Sequence, residues 1–150
     1  MKKYLLIALC VICAQTSCIG AGTKKAGTQK AAVTVLTDND FRAKIYDYDK
    51  NPDKWVFKGN KPAVIDFYAD WCGPCRQIGP YLEELAAEYG DAVTFYKMNI
   101  DNNRQTPTFF NIRSIPLVLI IPVNGEPVSI LGARPKNSYK EAIEKVRSEK

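Results

Sequence analysis

Apolar and polar positions follow two different periods along this chain. Residues 63–69, Ala-Val-Ile-Asp-Phe-Tyr-Ala, form a nearly continuous apolar run rich in β-branched and aromatic side chains. Such a run predicts a strand buried on both faces. Ile78, Tyr81, Leu82, Leu85 and Ala86 then recur at helical spacing. They predict a helix over 73–89, kinked at Pro80 and ended by Gly90. Upstream, 33–36 reads as a short strand, followed by a helix through Phe41 and Ile45 that Thr37 or Asp38 caps. Residues 46–60 are turn-rich, and within them Trp55 and Phe57 alternate as in a strand. This stretch is expected to be a packed surface excursion. Downstream, the pattern predicts a strand over 92–100 and a short helix over 101–110, broken or shortened by Pro107. A strand over 117–121, a hairpin turn at Asn124-Gly125 and a strand over 128–131 follow. An amphipathic helix closes the chain, capped by Asn137 or Ser138, with Tyr139, Ile143 and Val146 inward. Strands alternate with helices before the hairpin and last helix, which predicts an α/β fold with a mixed central sheet.

The first 31 residues belong to a different class. Lys2 and Lys3 precede an apolar run from Leu5 to Ala14, which gives way to Gln15, Thr16, Ser17 and Cys18. That run is too short to span a bilayer and reads as an export signal, assigned to residues 1–18. Two exits fit. Cys18, preceded by the small residues Thr16 and Ser17, is the lipidated first residue of a bacterial lipoprotein, or cleavage nearby releases a soluble product. Residues 19–31 have almost nothing to bury and read as a flexible tether. The predicted domain is therefore 32–150.

Charge and cysteine usage narrow the function. The formal charge of +5 is set by the leader, because 5 of the 21 basic residues and none of the 16 acids lie in 1–31. The predicted domain is neutral and gives no reason to propose nucleic-acid binding. Of five cysteines, Cys10, Cys13 and Cys18 lie in the apolar leader, which leaves Cys72 and Cys75 for the domain. The chain has no histidine, which excludes histidine catalysis and histidine metal ligands. Two thiols alone fall short of the four ligands of a zinc site, so no metal and no cofactor is expected.

Cys72-Gly73-Pro74-Cys75 lies where the predicted central strand hands over to the long helix. The unpaired N–H groups and positive dipole end of a helix N-terminus favour a thiolate over a thiol. A cysteine there, beside a second one, becomes a nucleophile near neutral pH. Asp66 sits inside the apolar strand, where an acid is costly unless paired or functional.

Asp66-Phe-Tyr-Ala-Asp-Trp-Cys-Gly-Pro-Cys75 resembles the active-site signature of the thioredoxin family. The likeness continues in order through Lys97-Met-Asn-Ile-Asp101, Ile112-Arg-Ser-Ile-Pro116, Asn124-Gly-Glu126 and Gly132-Ala133, covering about residues 32–150. It implies a thioredoxin fold, with helices on both faces of the mixed sheet. It further implies that Asp66 lies beneath the thiols and relays a proton from Cys75, accompanied by Lys97. Ile115-Pro116 resembles the family's cis-proline pair facing the disulfide. A docking groove would be formed by Trp71, Gly73, Pro74, Ile100, Ile115, Pro116, Gly132 and Ala133. Leu117 departs from the threonine that many relatives carry after the proline.

The expected activity is reduction of protein disulfides. Cys72 attacks the substrate disulfide, and Cys75 resolves the mixed disulfide that results. The alternatives are an exported dithiol oxidase or isomerase, and a non-catalytic binding module on the same fold. The intact cysteine pair weighs against the last. An exported, periplasmic reductant sits in an oxidising compartment. The expected partners are therefore protein disulfide substrates and a membrane-borne dithiol electron donor, with the chain a monomer.

Overall fold

The computed structural model describes residues 32–148. The leader, the tether and Cys18 lie outside the described residues. Ten elements follow in order: β1 (Thr34–Val35), α1 (Asp38–Lys44), β2 (Ala63–Tyr68), α2 (Gly73–Tyr89), a 3-10 turn (Gly90–Ala92), β3 (Thr94–Asn99), α3 (Gln105–Phe109), β4 (Leu117–Ile121), β5 (Val128–Leu131) and α4 (Lys136–Ser148).

The strands form one mixed sheet in the order β1-β3-β2-β4-β5. β2 lies at its centre, parallel to β3 and antiparallel to β4. Alternate side chains of a strand face opposite sides, and here both sides are covered. Val64, Phe95, Val118 and Ile120 pack against Ile78, Leu82 and Leu85 of α2 and against Tyr139, Ile143 and Val146 of α4. Ile65, Phe67, Met98, Leu119 and Ile121 pack on the other side against Phe41 of α1 and the aromatic residues around α3. Burial on both faces explains the unbroken apolar run in β2.

The 46–60 excursion is packed, as expected, but Trp55 and Phe57 are not in a strand. Tyr46, Tyr48 and Trp55 join Phe109 and Phe110 in an aromatic cluster, with Tyr46 and Trp55 ring centroids 4.6 Å apart and Tyr48 stacked on Phe109 at 4.5 Å. Their spacing reflects packing onto the α1 and α3 layer, where the segment turns on itself through Asp47 and its lysines, Lys50 at 3.3 Å and Lys58 at 3.2 Å.

The contacts decide or correct several local expectations. Thr37, rather than Asp38, caps α1, in a reciprocal box with Asp40. Asp38 instead accepts hydrogen bonds from the backbone N–H of Gln105 at 3.2 Å and of Thr106 at 2.8 Å, and so closes the start of α3. That helix is shorter than predicted because residues before Gln105 are taken up by a turn in which the Asn103 side chain donates to the Asn99 carbonyl, 3.0 Å. Pro107 does not break it, because it falls in the first turn, where no intrahelical N–H bond is made. α4 begins at Lys136, with the Ser138 N–H donating to the Pro135 carbonyl at 3.0 Å, so Asn137 and Ser138 are inside the first turn and do not cap it. The Asn124-Gly125 turn sits in a longer loop, 122–127, because Pro122 and Pro127 cannot donate to the β4–β5 ladder. α2 runs unbroken through Pro80 and is capped by Gly90 at φ 53°.

Candidate active site

β2 ends at Tyr68, and the short connection Ala69-Asp70-Trp71 leads to the N-terminus of α2. Cys72 is the N-cap of α2, and its Sγ accepts a hydrogen bond from the Cys75 N–H at 3.2 Å. The two sulfurs are joined as a disulfide, S–S 2.07 Å. Both cysteines are 4% exposed and pack with Ala69 against the half-buried Tyr68, Ile100 and Ile115. Cys75 is therefore no more buried than Cys72 in this oxidised state. The closed disulfide holds the Cys72 side chain down against Ile100 and Ile115.

Beneath the disulfide, Asp66 shares its face of β2 with Val64 and its register with Lys97 of β3. Asp66 is buried, and its Oδ1 has no hydrogen-bond partner. Burial pushes its carboxyl up to about 7, against the pull of the Lys97 cation. Among the described residues no ion pair within 4 Å joins the two; the Lys97 ammonium lies 6.0 Å from the centroid of the Tyr68 ring. A cavity of about 200 Å³ connects these groups, lined by Asp66, Tyr68, Cys75, Arg76, Glu83 and Lys97 among others. It has room for water. The cavity thus has both Asp66 and Cys75 in its wall.

The predicted groove residues surround the disulfide unequally. Trp71 is 67% exposed, and its indole N–H donates to Asp101 Oδ2 at 2.9 Å. Gly73 and Pro74 are exposed at the start of α2. The Ile115–Pro116 bond is cis. The Pro116 carbonyl accepts from the Gly132 N–H at 2.8 Å, which ties the loop before β4 to the end of β5. Gly132 has φ 79°, a left-handed conformation that a side chain disfavours. Ala133 is half-buried and packs on the α2 and α4 core, so it supports the groove more than it lines it.

Residues 32–145 match the family model described as Thioredoxin. The chain belongs to the thioredoxin family. It is 39% identical over 108 residues to a thioredoxin of Borreliella burgdorferi, covering 72% of this chain and 92% of that protein. It is 46% identical over 89 residues to a thioredoxin of Rhodospirillum rubrum, covering 59% of this chain and 86% of that one. Among solved structures, the fold is similar to that of chloroplastic thioredoxin z, with a TM-score of 0.65 at 23% identity over 78% of this chain and 96% of the other. Within the thioredoxin frame, the Cys72–Cys75 disulfide makes the chain a disulfide oxidoreductase.

The thioredoxin signature passes over one device. The buried Asn99, at the end of β3, donates from Nδ2 to Asp70 Oδ2 at 3.1 Å and accepts at Oδ1 from the Asp101 N–H at 2.9 Å. It clasps the loop that carries Trp71 to the loop that carries its partner Asp101. It stands within the Lys97-Met-Asn-Ile-Asp101 block, but a polar strand end is too common to single out. Tyr68, whose ring faces Lys97, was hidden by looking like ordinary strand core.

Proposed function

We propose that the chain reduces protein disulfides, with Cys72 attacking and Cys75 resolving. The observation that carries this reading is the cysteine pair at the start of α2, with Asp66 and Cys75 on one cavity. In the dithiol form, the Cys72 thiolate is stabilised by the α2 N-terminus and by N–H groups such as that of Cys75. It attacks one sulfur of a substrate disulfide, forms a mixed disulfide and expels the other sulfur as a thiolate, which takes up a proton. Cys75 loses its proton to Asp66, directly or through water in the cavity, and attacks the Cys72 sulfur. The Cys72–Cys75 disulfide forms, and the second substrate sulfur leaves as a thiolate that takes up a proton from water, while Asp66 returns the Cys75 proton to solvent. Two electrons pass from the dithiol to the substrate, and an external dithiol must restore them. Trp71, Gly73, Pro74, Ile100, Ile115, Pro116, Gly132 and Ala133 form and support the groove in which the substrate docks. Lys97 limits how far the Asp66 carboxyl rises, which keeps it a usable base near neutrality.

The test is substitution at each thiol. Cys72→Ser should abolish reduction of an insulin-type substrate, and Cys75→Ser should accumulate mixed disulfides through Cys72. Turnover by Cys72→Ser at the parent rate would overturn the assignment. A reduction potential above that of the glutathione pool would make the chain an oxidant instead.

The reading extends to location. Lys2, Lys3 and the apolar run from Leu5 support export, with Cys18 as the point of lipid attachment. An exported reductant draws electrons from a membrane-borne dithiol donor. Fatty-acid labelling lost in Cys18→Ser supports the anchor. Full-length chain confined to the cytoplasm would refute export.

A further inference from the structure

The sheet order separates charge across the groove. Asp70 follows β2, and Asp101 follows β3. Arg113 lies in the loop before β4, two residues from Ile115, and Arg134 follows β5, two residues after Gly132. The order β3-β2-β4-β5 therefore puts both acids on one half of this end of the sheet and both guanidinium groups on the other. Neighbouring strands are about 4.8 Å apart, so the halves are separated by roughly 14 Å from β3 to β5. All four residues are exposed.

The bonding on the two halves also differs. Asp70 and Asp101 are fixed, Asp70 by Asn99 and Asp101 by Trp71. Arg76, in the first turn of α2, donates to the Asp70 carbonyl at 2.8 Å and so lies on the acidic half. Among the described residues, the Arg113 side chain bonds to the neutral Asn111 side chain, at 2.9 Å, and the hydrogen bond of Arg134 is made by its backbone N–H. Among the described residues, no carboxylate lies within 4 Å of either guanidinium, whereas nearby Lys136 is paired with Glu84 at 2.8 Å. Two guanidinium groups without a carboxylate partner among the described residues thus flank the cis-proline side of the groove, and two anchored anions flank the tryptophan side.

We propose that this groove is polarised. It selects protein disulfides whose target cysteine carries acidic side chains on the flank over Arg113 and Arg134, and it disfavours acids on the flank over Asp70 and Asp101. The proposal rests on the reductase reading above. Opposite charges across an interface steer encounter and fix orientation more than they add affinity.

The experiment uses the reduced full chain and four disulfide-linked peptides, with Glu-Glu or Lys-Lys placed either before or after the target cysteine. On one flank the Glu peptide should be reduced roughly threefold faster than the Lys peptide, as two exposed ion pairs allow. On the other flank the preference should reverse. Arg113→Gln combined with Arg134→Gln should bring the first ratio to about one and leave the reversed preference in place. Raising the salt from about 20 mM to about 500 mM should flatten both. A preference for Glu of equal size on both flanks would overturn the proposal in favour of unpolarised attraction. Equal rates for all four peptides, or a ratio unchanged in the double variant, would also overturn it while leaving the reductase reading intact. Failure to reduce any of the four would refute the reductase reading itself.

Discussion

Replacing Asp66 by asparagine keeps the shape of the side chain and removes its charge. The effect on stability follows from the burial of this carboxyl. Its pKa is raised from 3.8 to about 7. Between those values the folded chain holds one proton that the unfolded chain has lost, so stability falls as pH rises. The contribution is fully present below about pH 4, falls by about 1.4 kcal/mol per pH unit and is gone above pH 7. The whole loss is roughly 4 kcal/mol. The asparagine variant lacks this titration, so the difference between the two stability curves isolates Asp66. The pull of Lys97 acts only on the charged carboxyl and is already contained in the raised value. The absence of histidine removes the side chain that ordinarily titrates in the same interval. The assay is urea unfolding of the oxidised protein, followed by circular dichroism, from pH 4 to pH 9. Relative to its own value at pH 4, Asp66→Asn should gain several kcal/mol over the parent by pH 8. A difference that stays within about 1 kcal/mol across this range would refute the desolvation argument.

The same substitution should slow resolution of the mixed disulfide while the attack by Cys72 is less affected, as rapid mixing across pH 6 to 9 would show; resolution at the parent rate throughout would reduce Asp66 to a structural residue. Gly132→Ala meets no atom within 4 Å, so its cost is backbone strain alone, about 1 kcal/mol in a denaturant titration, and distortion at the Pro116 contact should raise KM for protein substrates. Asp38→Ala leaves two N–H groups of α3 without their acceptor and should cost about 1–2 kcal/mol in the same titration. Burial raises the Asp38 carboxyl, but the hydrogen bonds from Thr106, Gln105 and Arg104 outweigh it and hold the group below its ordinary value. The charge-dependent part of the Asp38 contribution is therefore present above pH 4 and lost as pH falls through its lowered pKa, so the Asp38→Ala penalty should shrink in acid.

What could be read along the chain was whatever depends on near neighbours. The 63–69 run announced a central strand because every one of its residues had to be apolar or exceptional, and Asp66 was the exception. The helical spacing from Ile78 to Ala86 and the Gly90 stop marked α2 to the residue, because α2 is long and the period of its apolar face repeats several times. The cysteine pair was legible because its chemistry needs a strand-to-helix junction, and that junction is local. Short elements were misjudged because their ends are set by distant partners. Asp38 looks like a cap for its own helix, yet it closes α3, more than sixty residues away. Thr37 takes the local cap because Asp40 returns its hydrogen bond. Trp55 and Phe57 alternate like a strand, yet no neighbouring strand is there to pair with them, and they belong to a layer built by α1 and α3. Tertiary structure alone decided how deeply Asp66 is buried and that Lys97 stands off from it. It also made Asn99 the clasp of the tryptophan loop. These depend on which strands become neighbours, and strand order is a property of the whole sheet. The same order sets acids against arginines across the groove, a separation that no stretch of the chain contains by itself.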